Sequence, residues 1–191
     1  RFPTPLAAIE NAVPGSAVLL LADEYPARQT ALDPAGFELA RQKNLRLFIE
    51  YPAVVPGLEL ASPRKANWER VVVSSDEFAP KLPRLRILAA HECHFVPLSA
   101  STPADLVIAR VAGYDTAIYG LPEKDAWPIL FEVPERNLMV ATTKLSDFIT
   151  GRSGGREPGP QTLAEATDGA PTALFRPSLR PPPRPVLPEP T

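Results

Sequence analysis

Cysteine, histidine and long apolar runs are all scarce in this chain. Its one cysteine, Cys93, rules out an internal disulfide, which leaves the redox compartment open. Two histidines, His91 and His94, flank that cysteine, and no other histidine occurs. The longest apolar run, Ala17 to Ala22, is strand length. It falls far short of the roughly 18 residues that cross a bilayer, so no membrane contact is expected. An excess of one charge is missing too: 20 basic and 22 acidic residues leave a net charge of -2. No basic run can neutralise a row of phosphates, so nucleic acid is not an expected partner. The chain opens on Arg1, with neither a methionine nor a charged-then-apolar leader, and reads as a fragment or a processed product.

Proline, by contrast, is abundant. The chain has 25, and ten of them lie between Pro158 and Pro190. The rest of the composition, 45% hydrophobic and 22% charged, is that of an ordinary globular protein. The chain therefore divides into an α/β domain over 1–150 and a Pro/Gly-rich tail over 151–191. Proline removes amide donors and fixes φ, so Arg180 to Pro190 favours polyproline II or disorder. Such a tail is a linker, a docking motif for a proline-binding module, or inert.

Within the first part, hydrophobic periodicity outlines the elements. Leu6 to Ala12 reads as a short helical turn. Ala17 to Ala22 is a continuous apolar run, the pattern of a strand covered on both faces. Asp33-Pro34 is a helix start, because Asp caps free amides and proline is preset for the first helical position. Leu45 to Tyr51 is a second strand, which completes a βαβ unit. Pro52 to Asn67 reads as a loop. Val71 to Val73 and Arg86 to Ala90 are further strands. Leu106 to Val111 with Thr116 to Tyr119, and Ile129 to Val133 with Leu138 to Thr142, carry hairpin signals. Lys144 to Thr150 reads as a closing helix. The fold expected is a mainly parallel, flavodoxin-like sheet with added antiparallel hairpins.

Each of the first four strands ends in polar residues: Asp23 and Glu24, then Glu50 and Tyr51, then Ser74 to Asp76, then His91 to His94. Parallel neighbours would place these groups on one rim, where open α/β sheets bind ligands. The ligand-binding candidates are therefore Asp23, Glu24, Glu50, Asp76 and His94. Cys93 beside an imidazole is a candidate nucleophile, with His91 and Glu92 as its helpers. Its flanks, Glu92 and His94, lack the glycines of a nucleophile elbow, and that favours a buried structural thiol. No metal or cofactor is expected. Alternation points His91 and Cys93 one way and Glu92 and His94 the other, and a zinc site would need further ligands such as Asp23 or Asp76. Any two of Asp23, Glu50 and Glu92 are candidates for the carboxylate pair of glycoside cleavage, which requires a separation of about 5 Å or up to about 9 Å. Arg110 reads as an anion ligand or as the ion-pair partner of Asp115. Trp68 and Trp127 can stack on a sugar ring or pack over the edge of a core.

Four segments, Leu19 to Tyr25, Leu45 to Gly57, Val107 to Leu121 and Ala141 to Arg152, together resemble a class I glutamine-amidotransferase-like domain attached to bacterial glycoside hydrolases and related sugar-utilisation proteins. The resemblance spans residues 17 to 152. It implies a flavodoxin-like sheet and a role in carbohydrate metabolism. It does not imply glutaminase activity, because the cysteine elbow is missing at Cys93 and no histidine follows His94. The function expected is that of a non-catalytic accessory domain, acting in domain packing, oligomerisation or glycan contact. Its partners would be a carbohydrate, other domains of a larger protein, or a second copy. The compartment would be periplasmic or extracellular if the carbohydrate link holds, and cytoplasmic otherwise. The competing readings are a small hydrolase using Cys93 or the strand-end carboxylates, and an interaction module that docks through its tail.

Overall fold

Prolines mark where the helices begin. In the computed structural model, which describes residues 1–90, 93–98, 102–145 and 149–151, helix α1 spans Pro5–Asn11 and helix α2 spans Pro34–Gln42. Each starts on a proline, whose missing N–H costs nothing in the first turn. Each is preceded by a capping side chain. Thr4 Oγ1 accepts the Ala7 N–H at 3.2 Å, and Asp33 Oδ1 accepts the Gly36 N–H at 2.7 Å. Asn44, at φ 50°, turns the chain out of α2.

The strands are β1 (Ala17–Leu20), β2 (Arg46–Glu50), β3 (Arg64–Lys65), β4 (Arg70–Val73), β5 (Ile87–Ala90), β6 (His94–Phe95), β7 (Leu106–Ala109), β8 (Ala126–Val133), β9 (Leu138–Ala141) and β10 (Ile149–Gly151). Eight of them form one sheet in the order β1-β2-β9-β8-β7-β4-β5-β10, and β3 pairs with β6 in a separate ribbon. Within the eight-stranded sheet β1–β2 and β2–β9 are parallel, and the other five pairings described are antiparallel. The fold is thus a mixed, strand-rich α/β sheet with few helices, and the expectation of a mainly parallel sheet is corrected. The βαβ unit β1-α2-β2 is present, and the other parallel neighbour of β2 is β9, from far along the chain.

Alternation along the strands separates two cores. Leu47, Ile49, Leu138, Val140 and Phe131 face α1 and α2, together with Ile9, Val18 and Phe37. Phe48, Ala141, Leu130, Ile108, Val71 and Leu88 face the other way, with Phe95 and Leu145. A bulge interrupts this alternation in β8. Leu106 pairs with Leu130 while the next residue, Val107, pairs with Pro128, so Ile129 is the extra residue. Ile129 and Leu130 therefore enter the same core. The carbonyl of Ile129 is satisfied by the Thr142 N–H at 2.9 Å. Pro128 is tolerated in mid-strand because it adjoins this bulge.

Two further expectations are corrected. Thr116 to Tyr119 is not a strand paired with Leu106 to Val111: β7 pairs with β4 and β8, and Thr116 makes only an isolated bridge to Arg86. Of that segment Ala117 is buried, but Ile118 and Tyr119 lie exposed, so it lacks an apolar face to dock. The closing helix expected from Lys144 to Thr150 gives way at its end to β10, which fills the open edge of β5; residues 146–148 lie outside the described residues. So does the tail beyond Gly151. Among the described residues no helix is long and apolar enough to cross a membrane.

Candidate functional site

The pairings decide which strand exits can meet. β1, β2 and β9 run in one direction, so Leu20, Glu50 and Ala141 end on the same side. β4 runs the opposite way, through its antiparallel chain of partners β7, β8 and β9. Ser74 to Asp76 therefore leaves in the opposite direction, and Asp76 does not share a rim with Glu50. The four exits do not form the common border expected of parallel neighbours.

On the β1–β2–β9 side, the acids divide by burial. Glu50 is buried, and its carboxylate accepts the Ala22 N–H and the Leu145 N–H, each at 3.2 Å. It ties the exit of β1 to the exit of β9. Asp23 and Glu24 face outward and pair with arginines of their own neighbourhood, Asp23 with Arg1 at 3.6 Å and Glu24 with Arg28 at 3.5 Å. Asp23 and Glu50 thus occupy different environments, one in water and one in the core.

Cys93 is fully buried, at 0% exposure. Its Sγ lies 3.0 Å from Thr143 Oγ1. Thr143 Oγ1 donates to the His94 carbonyl at 2.8 Å, and the Tyr25 hydroxyl donates to the same carbonyl at 2.7 Å. The His94 N–H donates back to the Tyr25 oxygen. Tyr25 also meets Tyr51 edge-on, with ring centroids 4.9 Å apart. Burial pushes the Cys93 thiol up, and the bonds from Thr143 and Tyr25 only partly offset it. Burial, and then the neighbouring thiol, also raise Tyr25 and Tyr51. The thiol is held neutral and away from solvent, which is the opposite of what a nucleophile needs. His94 is half-buried, with its ring edge-on to Tyr25 at 6.2 Å. The helpers proposed for Cys93, His91 and Glu92, lie outside the described residues.

The other side of β6 holds a cluster that the sequence did not reveal. Cross-strand pairing sets Arg64 opposite Phe95 and Lys65 opposite His94. The Arg64 guanidinium lies over the Phe95 ring at 5.4 Å and over the Trp127 ring at 4.5 Å. Arg64 Nη2 donates to Glu69 Oε1 at 3.1 Å, and Arg110 Nε donates to the same oxygen at 3.3 Å. Glu69 Oε2 accepts the Asn67 N–H at 2.9 Å and the Trp68 N–H at 3.1 Å. Burial by itself would raise the Glu69 carboxyl. The backbone amides and the Arg110 charge outweigh it and hold the group below the usual carboxylate range.

Trp127 therefore serves as a floor for Arg64, while Trp68 stands 77% exposed on the loop that Glu69 fixes. Arg110 turns to Glu69, and Asp115 lies near Arg86 instead, at 4.0 Å. One signal for this cluster was present in the sequence: Glu69 immediately precedes the Arg70–Val73 strand, where an acid entering a core needs donors around it. Two of those donors are the adjacent backbone amides, Arg64 comes from β3, and Arg110 is brought in by the β4–β7 pairing of Arg70 with Ala109. Among the described residues no group of three or more His, Cys, Asp or Glu side chains could hold a metal ion. No protein-family model, no curated protein and no solved structure matches this chain.

Proposed function

We propose that this chain is a non-catalytic accessory domain of a bacterial carbohydrate-active protein, and that it contacts glycan through the surface around Trp68. One observation carries the reading. A large flat indole is 77% exposed on a loop whose backbone is anchored to a buried carboxylate. Such exposure forfeits hydrophobic stabilisation that packing would give, and an exposed aromatic is a ready platform for the C–H face of a sugar ring. The sealed, neutral Cys93 supports a binding role over a thiol hydrolase. The parallel β1-α2-β2 unit is the one element of the sheet in keeping with a glutamine-amidotransferase-like, flavodoxin-like accessory domain, the pairings beyond β9 being antiparallel. On this reading the partners are a carbohydrate together with other domains or a second copy, nucleic acid is not among them, and the compartment is periplasmic or extracellular.

The test is a calorimetric screen of the chain against neutral and acidic oligosaccharides, with Trp68→Ala alongside. The reading expects saturable binding to at least one sugar and its loss in the variant. Absence of heat with every sugar would overturn it.

A further inference from the structure

The sugar that suits this surface is set by what stands beside Trp68. Both residues are tied to one carboxylate: the Trp68 N–H donates to Glu69 Oε2, and Arg110 Nε donates to Glu69 Oε1. The Glu69 side chain is only 1% exposed, whereas the Arg110 side chain is 65% exposed. Arg110 thus commits its inner N–H to a buried anchor. Its two terminal nitrogens make no hydrogen bond among the described residues, and the side chain is largely open to solvent. Arg64 adds a second guanidinium on the same oxygen, itself fixed over Trp127. Two guanidiniums share one carboxylate, so this cluster of three residues carries a formal charge of +1 (2 − 1) although the chain as a whole carries -2.

We infer that the Trp68 surface binds an acidic sugar, a uronic acid residue whose ring stacks on Trp68 and whose carboxylate is held by the open fork of Arg110. The inference rests on the glycan reading above and narrows it to a chemical class. A planar guanidinium matches a planar carboxylate with two parallel N–H···O bonds. A polyphosphate chain would call for a row of cations, and one exposed guanidinium tied to the same carboxylate as the Trp68 backbone suits a single carboxylate on a ring. Because Nε is already bonded to Glu69, the fork is oriented before the ligand arrives, and less freedom is lost on binding.

The experiment titrates the full chain with trimers of galacturonate, glucuronate and mannuronate, with the methyl ester of each, and with the corresponding neutral trimers. The expected result is binding of at least one acid, with its ester and neutral counterpart at least about tenfold weaker, as loss of a charge-assisted bidentate pair requires. Raising the salt concentration weakens only the acid. Arg110→Ala removes the preference for the acid, and Arg110→Lys, which keeps the charge and loses the fork, restores only part of it. Thermal melts of both variants show that they remain folded. Equal affinity for acid, ester and neutral sugar would overturn the inference while leaving the glycan reading intact. A neutral trimer that binds while every acid fails would do the same. No binding of any sugar would overturn both.

Discussion

Replacing Glu69 by Gln changes one atom and sets four donors against a group that can no longer accept them all. Oε2 takes the N–H groups of Asn67 and Trp68, and Oε1 takes the guanidiniums of Arg64 and Arg110. A carboxamide has one acceptor oxygen, and its NH2 must face donors whichever way it turns. The less costly choice keeps the oxygen on the two amides, which cannot leave, and releases the arginines to water. Both arginines are partly exposed, at 39% and 65% for Arg64 and Arg110, so solvent screens each lost ion pair to about 0.5–1 kcal/mol. The two amides then bond to a neutral rather than a charged acceptor, which costs about 0.5 kcal/mol more. The total is about 2 kcal/mol. Urea unfolding followed by circular dichroism at pH 7 measures it, and a domain of this size should lose about 6 °C in Tm. The pH dependence has a definite sign. The folded carboxyl titrates below its unfolded value. Its contribution is therefore complete above the unfolded pKa of about 4.3 and is lost as pH falls through the folded value. The gap between parent and Glu69→Gln should stay constant from pH 7 to about 5 and close only in acid. A variant within about 0.5 kcal/mol of the parent at pH 7 would refute the four-donor account.

Three further perturbations test other parts of the structure. Cys93 should resist a thiol-reactive disulfide reagent in the native protein and react at once in urea; immediate labelling without denaturant would show that the thiol is not enclosed as described. Gly113 sits at φ 127°, and a Cβ there would lie 1.9 Å from the Thr116 carbonyl oxygen, so Gly113→Ala should cost at least about 2 kcal/mol by thermal melting. Unchanged stability would place that turn in another conformation. Glu50→Ala leaves the amides of Ala22 and Leu145 without their acceptor; it should cost about 3 kcal/mol and raise hydrogen exchange at both amides, and exchange unaltered at either one would break the proposed tie between the β1 and β9 exits.

How legible the fold was depends on which residues are asked. Asp33 and Pro34 announce α2 because capping and a preset φ act locally. The apolar runs of β1 and β2 are equally plain, and Pro134 to Asn137 marks the β8–β9 turn, where Asn137 adopts φ 51°. Partner choice was not legible. Leu47 and Phe48 show that β2 is covered on both faces, but nothing in them selects Leu138 and Met139 as neighbours. The expectation of four parallel strands failed at this point, and Asp76 left the candidate site with it. The site itself was half legible. Glu50 and Cys93 do lie at strand exits, but they are enclosed by backbone amides and hydroxyls that arrive from distant segments. Arg64 reaches Glu69 from a two-residue ribbon, too short to leave a periodic trace, and Arg110 reaches it from the end of β7.

The position of β9 also bears on how a ribosome delivers this protein. Leu47 to Glu50 find their second neighbour only in Leu138 to Ala141, so the early β1-α2-β2 segment leaves the exit tunnel with one flank of β2 bare. It must wait, with unpaired backbone N–H and C=O groups along that edge, while β3 through β8 are synthesised, and only then does the missing strand slot into the middle of the sheet. Topologies that defer long-range pairing in this way fold slowly and expose sticky intermediates. Ribosome-bound chains whose Leu138 to Ala141 segment has not yet emerged from the tunnel are therefore the ones expected to recruit holding chaperones, and those with that segment outside should release them.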